Sequence, residues 1–323
     1  MPPPAAHGAA GAAGDKPLVL LAQPLFPNFA AALEGRYRFV LAGDADAATV
    51  AEARVLLVPG LVAVTADLID RFPALELMVA TSVGLDHVDL RACRHRRGLA
   101  VTNAGVAFSV DTADYAVGLV VAVLRRVAAA EAHLRRGAWA TDGEFPLATK
   151  VSGKRVGILG LGSIGTLVAR RLAAFGCRIA YNSRSPKPSC PYEFYPTARA
   201  LAAASDVLVL SCALTEETRR VVDRGVMEAL GAGGVLVNVG RGGLVDEPEL
   251  VRCLQEGVIG GAGLDVYEDE PEVPPELLAM DNVVLSGHRA VLTAESMRGV
   301  AEVVAGNLEA FFAGRPLLSP VTL

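Results

Sequence analysis

Residues 154–165 carry the pattern from which the fold of this 323-residue chain can be inferred: Lys154-Arg155-Val156-Gly157-Ile158-Leu159-Gly160-Leu161-Gly162-Ser163-Ile164-Gly165. The apolar residues up to Leu159 predict a short strand, and a helical stretch follows. In the GxGxxG sequence between them, Gly160 permits a tight turn, Gly162 lets a pyrophosphate approach the backbone, and Gly165 lets the helix pack against the strand. A second predicted strand, residues 178–181, completes a dinucleotide-binding unit. A plain glycine-rich turn is the alternative.

The residues after the second strand indicate which cofactor such a unit would bind. An NAD site usually carries Asp or Glu about 20 residues beyond the glycine turn, where it holds the ribose 2′-hydroxyl. Residues 166–192 contain no acidic residue, and Asn182-Ser183-Arg184-Ser185-Pro186-Lys187 offers two cations and two serine hydroxyls instead. Charge-assisted hydrogen bonds could hold a 2′-phosphate there, so the sequence predicts NADPH, with NADH weaker. A solvated basic loop, marked as a turn by Pro186 and Pro188, is the alternative.

Composition and charge narrow the class of protein. The chain is 52% hydrophobic with a net charge of -5, and its basic residues are scattered, so no nucleic-acid partner is expected. The five cysteines are widely spaced without a CxxC pair, which predicts neither a disulfide framework nor a metal site. The apolar run Ala116 to Leu124 is too short to span a membrane, and the Ala/Gly/Pro-rich residues 1–14 predict a disordered tail. We therefore expect a cytoplasmic protein.

Short apolar runs alternate with helix-sized segments, which predicts two α/β units with parallel sheets, each of the Rossmann or flavodoxin-like type. The predicted strands are 18–21, 37–41, 55–58, 77–80, 100–101, 156–159, 178–181, 207–210, 235–239, 262–266 and 283–285. The glycine pattern lies in mid-chain, and the predicted helix 294–312 has no strand after it. We therefore expect the cofactor domain to be inserted into the substrate domain. The expected ranges are 15–107 plus 290–323 for substrate binding and 108–289 for NADP binding.

Polar residues follow the later predicted strands, at the sheet edge where open parallel sheets bind ligands. Arg241 stands in a glycine-rich loop, where it could hold a carboxylate through two parallel hydrogen bonds or be an ordinary surface arginine. Asp265 and the acidic run 268–272 come next, and spacing alone does not choose among these acids. His288 follows the last strand and is a candidate acid or base, with a structural histidine as the alternative and His87 as a rival.

Four separated motifs resemble the signatures of the D-isomer-specific 2-hydroxyacid dehydrogenases. They are residues 160–165, 238–247, 261–271 and 287–288, and the resemblance extends from about Leu18 to Val321. Within that family, residues 182–185 and 306–311 resemble the plant hydroxyphenylpyruvate reductases, which also reduce hydroxypyruvate or glyoxylate. The resemblance therefore implies NADPH-dependent reduction of these 2-oxo acids to D-2-hydroxy acids.

The resemblance also implies roles for individual residues. Arg241 would bind the substrate carboxylate and carbonyl, and His288 would be the general acid, paired with Glu270, which the family pattern selects from the acidic run. Val83 and Gly84 would contact the substrate through their backbone, and the protein would be a homodimer. The implied cofactor contacts are Gly160, Leu161, Gly162, Ser163, Ile164, Gly165, Ser183, Arg184, Ser185, Val239, Gly240, Arg241 and Asp265.

The chain departs from the family pattern at two places, and two other functions compete. Gly287-His288-Arg289-Ala290 stands where many members have Pro-His and a small-residue pair that touches the nicotinamide, and Ser163 replaces a common arginine. A dinucleotide-sensing corepressor or scaffold on the same fold is one alternative, although the intact Arg241, Glu270 and His288 argue against it. A 3-phosphoglycerate dehydrogenase is another, which the basic loop after residue 181 disfavours.

Overall fold

The computed structural model describes residues 16–323, so the predicted tail, residues 1–14, lies outside the described residues. The chain divides into two compact units. The first comprises the residues up to Ala104 together with Ala301–Leu323, and the second comprises Gly105–Val300. The sequence placed these divisions after residues 107 and 289. The first unit is therefore built from two segments that flank the second in the chain.

A five-stranded parallel sheet forms the first unit, with strand order β2-β1-β3-β4-β5. Its strands are β1 (Leu18–Leu21), β2 (Arg38–Leu41), β3 (Val55–Val58), β4 (Leu77–Ala80) and β5 (Ala100–Thr102). Its helices are α1 (Pro27–Leu33), α2 (Ala47–Glu52), α3 (Ala66–Asp70) and α4 (Leu90–His95). Every residue of β3 and β4 is buried, as expected for central parallel strands that are covered on both faces.

A seven-stranded sheet forms the second unit, with strand order β12-β11-β10-β9-β6-β7-β8 and every pair parallel. Its strands are β6 (Arg155–Leu159), β7 (Arg178–Asn182), β8 (Glu193–Phe194), β9 (Val207–Leu210), β10 (Val235–Asn238), β11 (Gly261–Leu264) and β12 (Val283–Leu285). Its helices are α5 (Ser109–Leu124), α6 (Val127–Arg135), α7 (Ala138–Thr141), α8 (Ser163–Ala174), α9 (Ala198–Ala203), α10 (Arg224–Leu230), α11 (Glu247–Gln255), α12 (Pro275–Leu278) and the start of α13 (Ala294–Phe312). The two all-parallel sheets confirm the predicted α/β class.

The sequence of β9, V-L-V-L, shows how this sheet is covered on both faces. Successive side chains of a strand point to opposite faces. Leu208 and Leu210 belong to a core that includes residues of α10 and α11, whereas Val207 and Val209 belong to a second core with α5 and α8. Because every residue of β9 is buried, neither face of this strand is left to solvent.

The amphipathic residues 111–136 have the sequence pattern of one long helix, with acidic residues near the start and arginines towards the end, but α5 ends at Leu124 and α6 begins at Val127. Arg126 adopts a left-handed backbone conformation with φ 53°, which an α-helix cannot continue through. The N–H of Thr149 donates to the carbonyl oxygen of Leu124 at 3.0 Å, and the guanidinium of Arg126 lies 4.7 Å from the Phe145 ring centre. α5 thus ends where Thr149 and Phe145, which come later in the chain, contact Leu124 and Arg126.

The second sheet also determines where functional groups can collect. Its strands are all parallel, so their carboxyl ends lie along one edge, which is where ligands of open α/β sheets bind. The loops after β6, β7, β10, β11 and β12 start at this edge. Among residues 16–323, no helix has the length and the apolar composition needed to cross a membrane.

Candidate active site

The glycine turn after β6 has one open side. Gly160 has φ 99°, and a Cβ atom added there would lie 2.5 Å from the backbone nitrogen of Cys212. A Cβ atom at Gly165 would collide with the carbonyl oxygen of Gly160, whereas one at Gly162 would meet no heavy atom within 4 Å. Packing inside the protein therefore requires the first and third glycines. The second faces open space, as the predicted approach of a pyrophosphate needs.

The first turn of α8 is arranged as an anion site. The helix begins at Ser163, its N-cap residue is Gly162, and no side chain among residues 16–323 caps it. The N–H of Thr166 donates to the carbonyl oxygen of Gly162 at 3.0 Å, as the first hydrogen bond of the helix. The N–H groups before it, including those of Ser163 and Ile164, remain for a ligand, and the helix dipole favours a negative one. Leu161 is buried below this turn.

The basic loop after β7 is attached to the glycine turn. The N–H of Gly160 donates to the carbonyl oxygen of Asn182 at 3.0 Å, so the two loops start side by side. Ser183 Oγ donates to the carbonyl oxygen of Ser185 at 2.7 Å, which closes a small turn around Arg184. The side chain of Arg184 is exposed. The predicted ribose contacts are thus adjacent to the predicted phosphate contacts.

Asn238 shapes the loop that carries Arg241, a role that the sequence did not reveal. Its side chain is 1% exposed; Oδ1 accepts from the N–H of Gly240 at 3.0 Å, and Nδ2 donates to the carbonyl oxygen of Arg241 at 2.8 Å. Arg241 Nη1 in turn donates to the carbonyl oxygen of Gly240 at 2.8 Å. Val239 is buried within the same turn. The sequence feature that could have indicated this role is a polar residue at the end of a buried, valine-rich strand.

The Arg241 loop packs directly on the segment that leads to Glu270. A Cβ atom on Gly242 would collide with the carbonyl carbon of Tyr267, so the two backbones touch. The N–H of Tyr267 donates to Glu270 Oε1 at 3.1 Å. The positive charge of Arg241 also contributes to the electrostatic environment of Glu270. The structure thus brings two members of the predicted catalytic set together.

Glu270 and His288 form a hydrogen-bonded pair. Glu270 Oε2 lies 2.8 Å from His288 Nδ1, and the two side chains are 30% and 26% exposed. Burial raises the pKa of Glu270, but the hydrogen bond and charge of His288, the Tyr267 N–H and the charge of Arg241 outweigh it, so the pKa lies below its ordinary value. Glu270 is therefore ionised at neutral pH. Because Glu270 engages Nδ1, Nε2 is the ring nitrogen of His288 that would meet a ligand.

Asp265 lies behind His288. It is 1% exposed, and its carboxylate accepts hydrogen bonds from Ser286 Oγ and from the backbone N–H groups of Arg289 and Ala290. The resemblance implied a cofactor contact for Asp265, whereas these hydrogen bonds go to the loop that carries His288. No role of Ser286 was predicted from the sequence, although its position directly after β12 could have indicated one.

A second group of charged residues supports the segment before Glu270, and the sequence did not single it out. Glu247 Oε2 accepts from the N–H of Glu268 at 3.2 Å, and Arg220 Nη2 donates to Glu268 Oε1 at 3.0 Å. Burial and the nearby carboxylates raise the pKa of Glu247, and its hydrogen bond from Glu268 opposes them. These residues attach the segment to α11 and to the chain before α10.

The predicted substrate contacts Val83 and Gly84 belong to the first unit, in the turn after β4. Their carbonyl oxygens accept from Asn103 Nδ2 at 2.9 Å and from Ser82 Oγ at 2.8 Å, respectively. Within the described part of the chain, the N–H groups of both residues donate to no protein acceptor. The rival His87 also lies in this unit, where its carbonyl oxygen accepts from the N–H of Val64.

Comparisons with known proteins identify the family to which the chain is similar. The family described as D-isomer specific 2-hydroxyacid dehydrogenase, NAD binding domain, matches residues 117–290. A glyoxylate/hydroxypyruvate reductase of Arabidopsis thaliana is 58% identical over 271 residues, which are 84% of each chain. The hydroxyphenylpyruvate reductase of Plectranthus scutellarioides is 53% identical over 256 residues, covering 79% of this chain and 81% of that protein.

A solved structure extends the likeness to almost the whole chain. An NADPH-dependent glyoxylate/hydroxypyruvate reductase from Sinorhizobium meliloti, crystallised with NADP and malonate, is 38% identical and has a TM-score of 0.89. The match covers 95% of this chain and 97% of that one. Together with the family match and the plant relatives, it shows that the chain belongs to the D-isomer specific 2-hydroxyacid dehydrogenase family, as its motifs predicted.

Proposed function

We propose that this protein uses NADPH to reduce 2-oxo acids, namely 4-hydroxyphenylpyruvate, hydroxypyruvate and glyoxylate, to D-2-hydroxy acids. The observation that carries the proposal is the Glu270–His288 hydrogen bond of 2.8 Å, next to the Arg241 loop on the sheet edge that also holds the glycine turn. The activities named for the plant relatives and for the Sinorhizobium meliloti structure support the choice of substrates and cofactor.

Arg241 would hold the substrate. Its guanidinium can bind a carboxylate and the neighbouring carbonyl oxygen through parallel N–H donors, which fixes the orientation of the carbonyl carbon. The hydrogen bond from Asn238 Nδ2 to the Arg241 carbonyl keeps this loop in one conformation. The family resemblance adds the backbone N–H groups of Val83 and Gly84 as further donors to the substrate carboxylate.

His288 would be the general acid. The reduced nicotinamide, when bound, supplies a hydride to the carbonyl carbon, and the carbonyl oxygen then gains negative charge. His288 would donate the Nε2 proton to that oxygen, a contribution typically worth about 10²–10⁴-fold in rate. The ionised Glu270 engages Nδ1 and fixes the orientation of the imidazole. The same residues would remove the proton in the reverse direction.

The cofactor would lie against the glycine turn and the basic loop. The open side of Gly162 and the uncapped first turn of α8 suit a pyrophosphate. Ser183, Arg184 and Ser185 would hold the ribose 2′-phosphate, and the loop after β10 with Val239 and Gly240 would form the next part of the site. The side chain of Ser163 would give a phosphate less charge than the arginine found in many family members.

The function is tested by following cofactor oxidation with each 2-oxo acid in turn, using NADPH and NADH separately. We expect turnover with NADPH, and the order of kcat/KM among the substrates identifies the physiological class. Tight NADPH binding without turnover on any of the three acids would contradict the proposal. That result would favour a dinucleotide sensor on the same fold.

The cofactor preference is tested with Arg184→Ala. Each charge-assisted hydrogen bond to the 2′-phosphate contributes about 1.5–3 kcal/mol, so kcat/KM for NADPH should fall about tenfold or more. The value for NADH should stay unchanged. Arg178→Ala is the matched control, because it removes an exposed arginine from the other end of β7. An equal loss for both cofactors, or the same loss in the control, would show that Arg184 does not bind the phosphate.

We also propose that the protein is a homodimer, as the family resemblance implies, and that it lies in the cytoplasm, as its composition predicts. Several large apolar side chains of the second unit are exposed, among them Leu134 at 56%, Trp139 at 59% and Leu147 at 98%, which supports burial against a second copy. Light scattering during size-exclusion chromatography tests the stoichiometry.

A further inference from the structure

The backbone of His288 is in a conformation that histidine rarely adopts. Its φ is 49°, in the left-handed region that costs a non-glycine residue conformational energy. Gly287, which could adopt this conformation without that cost, precedes it and does not have a positive φ. The strain is therefore placed on the residue with the imidazole. Interactions of His288 with the surrounding structure must compensate for this conformational energy.

Asp265 supplies that compensation, because three successive N–H groups point at this one residue. The N–H of His288 donates to the carbonyl oxygen of Asp265 at 2.7 Å. The N–H of Arg289 donates to Oδ1 at 2.8 Å, and the N–H of Ala290 donates to Oδ2 at 3.0 Å. A left-handed residue within a short run turns successive N–H groups to the same side, an arrangement known as a nest. Here two of the three N–H groups converge on the Asp265 carboxylate. The φ of His288 is the geometry that this nest requires.

The anion in the nest is held rigidly. Asp265 is 1% exposed and follows β11, and its own N–H donates to the carbonyl oxygen of Asn238 at 3.0 Å. Ser286 Oγ adds a hydrogen bond of 2.6 Å to Oδ1. A buried carboxylate needs several donors, and here all three donors to its side chain come from the loop that carries His288. His288 is consequently fixed at two places, by Asp265 at its backbone and by Glu270 at Nδ1.

We propose that Asp265 is a positioning residue for the reaction, which fixes His288 by holding its loop as a backbone nest. The kinetic part of this inference rests on the proposed function. It adds to the cofactor contact that the family resemblance implies, because it predicts an effect on the proton-transfer step beyond any change in NADPH affinity. Asp265 itself touches neither the substrate nor the transferred proton in this role.

The decisive variant is Asp265→Asn. One oxygen becomes an NH₂ group, which cannot accept from a backbone N–H, so the nest loses at least one hydrogen bond. We expect kcat at saturating NADPH to fall about 10- to 100-fold, as small misplacements of a catalytic group do, whatever the change in the NADPH dissociation constant. Ser286→Ala is the matched control: it removes one donor to Asp265 and leaves the nest intact, so its kcat should fall much less.

A double variant distinguishes a positioning role of Asp265 from a general structural defect of the Asp265→Asn variant. In the His288→Gln background, Asp265→Asn should lower kcat no further, because residues that act as a unit have non-additive effects. An additive loss would overturn the proposal. So would weakened NADPH binding at unchanged kcat, which would make Asp265 a cofactor contact alone.

A measurement on the wild-type protein keeps the inference testable if Asp265→Asn does not fold or if no 2-oxo acid is turned over. Amide hydrogen exchange should be slow at Arg289 and Ala290, although Arg289 is exposed, because both N–H groups are bonded to a buried carboxylate. Fast exchange at both would overturn the nest. Slow exchange without turnover would retain the nest and reject the proposed function.

Discussion

Two loops that leave the same edge of the second sheet are built by opposite means. The turn after β6 takes its shape from residues without side chains, and Gly160 adopts φ 99° at no steric cost. The loop after β12 has its positive φ at His288, and the buried carboxylate of Asp265 holds it there. The turn after β6 keeps its shape because its glycines have no side chains. The loop after β12 keeps its shape through the side chain of Asp265, which directly follows the neighbouring strand β11.

The difference follows from what each loop must do. A pyrophosphate has to approach the main chain, so the turn after β6 needs an open side at Gly162 and helix N–H groups without partners. A proton has to be delivered to one atom, so the loop after β12 must keep one imidazole in place. Backbone strain at His288 is tolerated because Asp265 and Glu270 hold both ends of the residue.

The largest effect should come from removing the imidazole. His288→Gln keeps a polar side chain of similar size but no acid, so kcat should fall about 10²–10⁴-fold while the NADPH dissociation constant stays unchanged. Steady-state kinetics and a cofactor titration measure the two quantities. His95→Gln, which alters an exposed histidine of the first unit, is the control. Undiminished turnover would remove His288 from the mechanism and end the contrast between the two loops.

The next effect separates two roles within the glycine turn. Gly165→Ala places a methyl group against the carbonyl oxygen of Gly160, so the free energy of unfolding should fall by about 1–3 kcal/mol. Gly162→Ala meets no protein atom, so its stability should be unchanged while its NADPH affinity falls. Thermal unfolding and a cofactor titration on both variants distinguish these results. Equal loss of stability in the two would show that Gly162 is also a packing residue.

The same contrast explains how much the sequence could predict. Strands 55–58, 77–80, 207–210 and 283–285 and helix 294–312 have the bounds that the sequence predicted. Short apolar runs that are rich in Val and Leu, and a long periodic helix, can be recognised from the local sequence alone. The glycine turn is equally local, because all its determinants lie within residues 154–165.

The features that the sequence missed depend on distant contacts. β8 has two residues, too few for an apolar pattern, and the break at Arg126 depends on Phe145 and Thr149. Position after a strand made Arg241 and His288 candidates with alternatives left open, and the family resemblance chose them together with Glu270. Local rules place a left-handed residue at a glycine, so they favour Gly287 over His288. The structure instead has the left-handed conformation at His288, because the N–H groups of Arg289 and Ala290 donate to the carboxylate of Asp265, which follows β11.

The smallest effect concerns pH, and it distinguishes the two loops once more. The pKa of Glu270 is below its ordinary value of 4.5 in the folded protein. A group whose folded-state pKa is lowered stabilises the protein above its unfolded-state pKa, and this contribution is lost as the pH falls through the folded-state value. Glu270→Gln should therefore be less stable than wild type at neutral pH, and the difference should shrink on acidification below 4.5.

Gly165→Ala is the internal control for that titration. Its destabilisation comes from a steric collision with Gly160 and involves no proton, so its offset from wild type should be the same at neutral and acidic pH. Urea unfolding across the acidic range measures both offsets. If the offset of Glu270→Gln also stayed constant, the loop after β12 would depend on the shape of Glu270 and not on its charge. The two loops would then be held by the same kind of interaction.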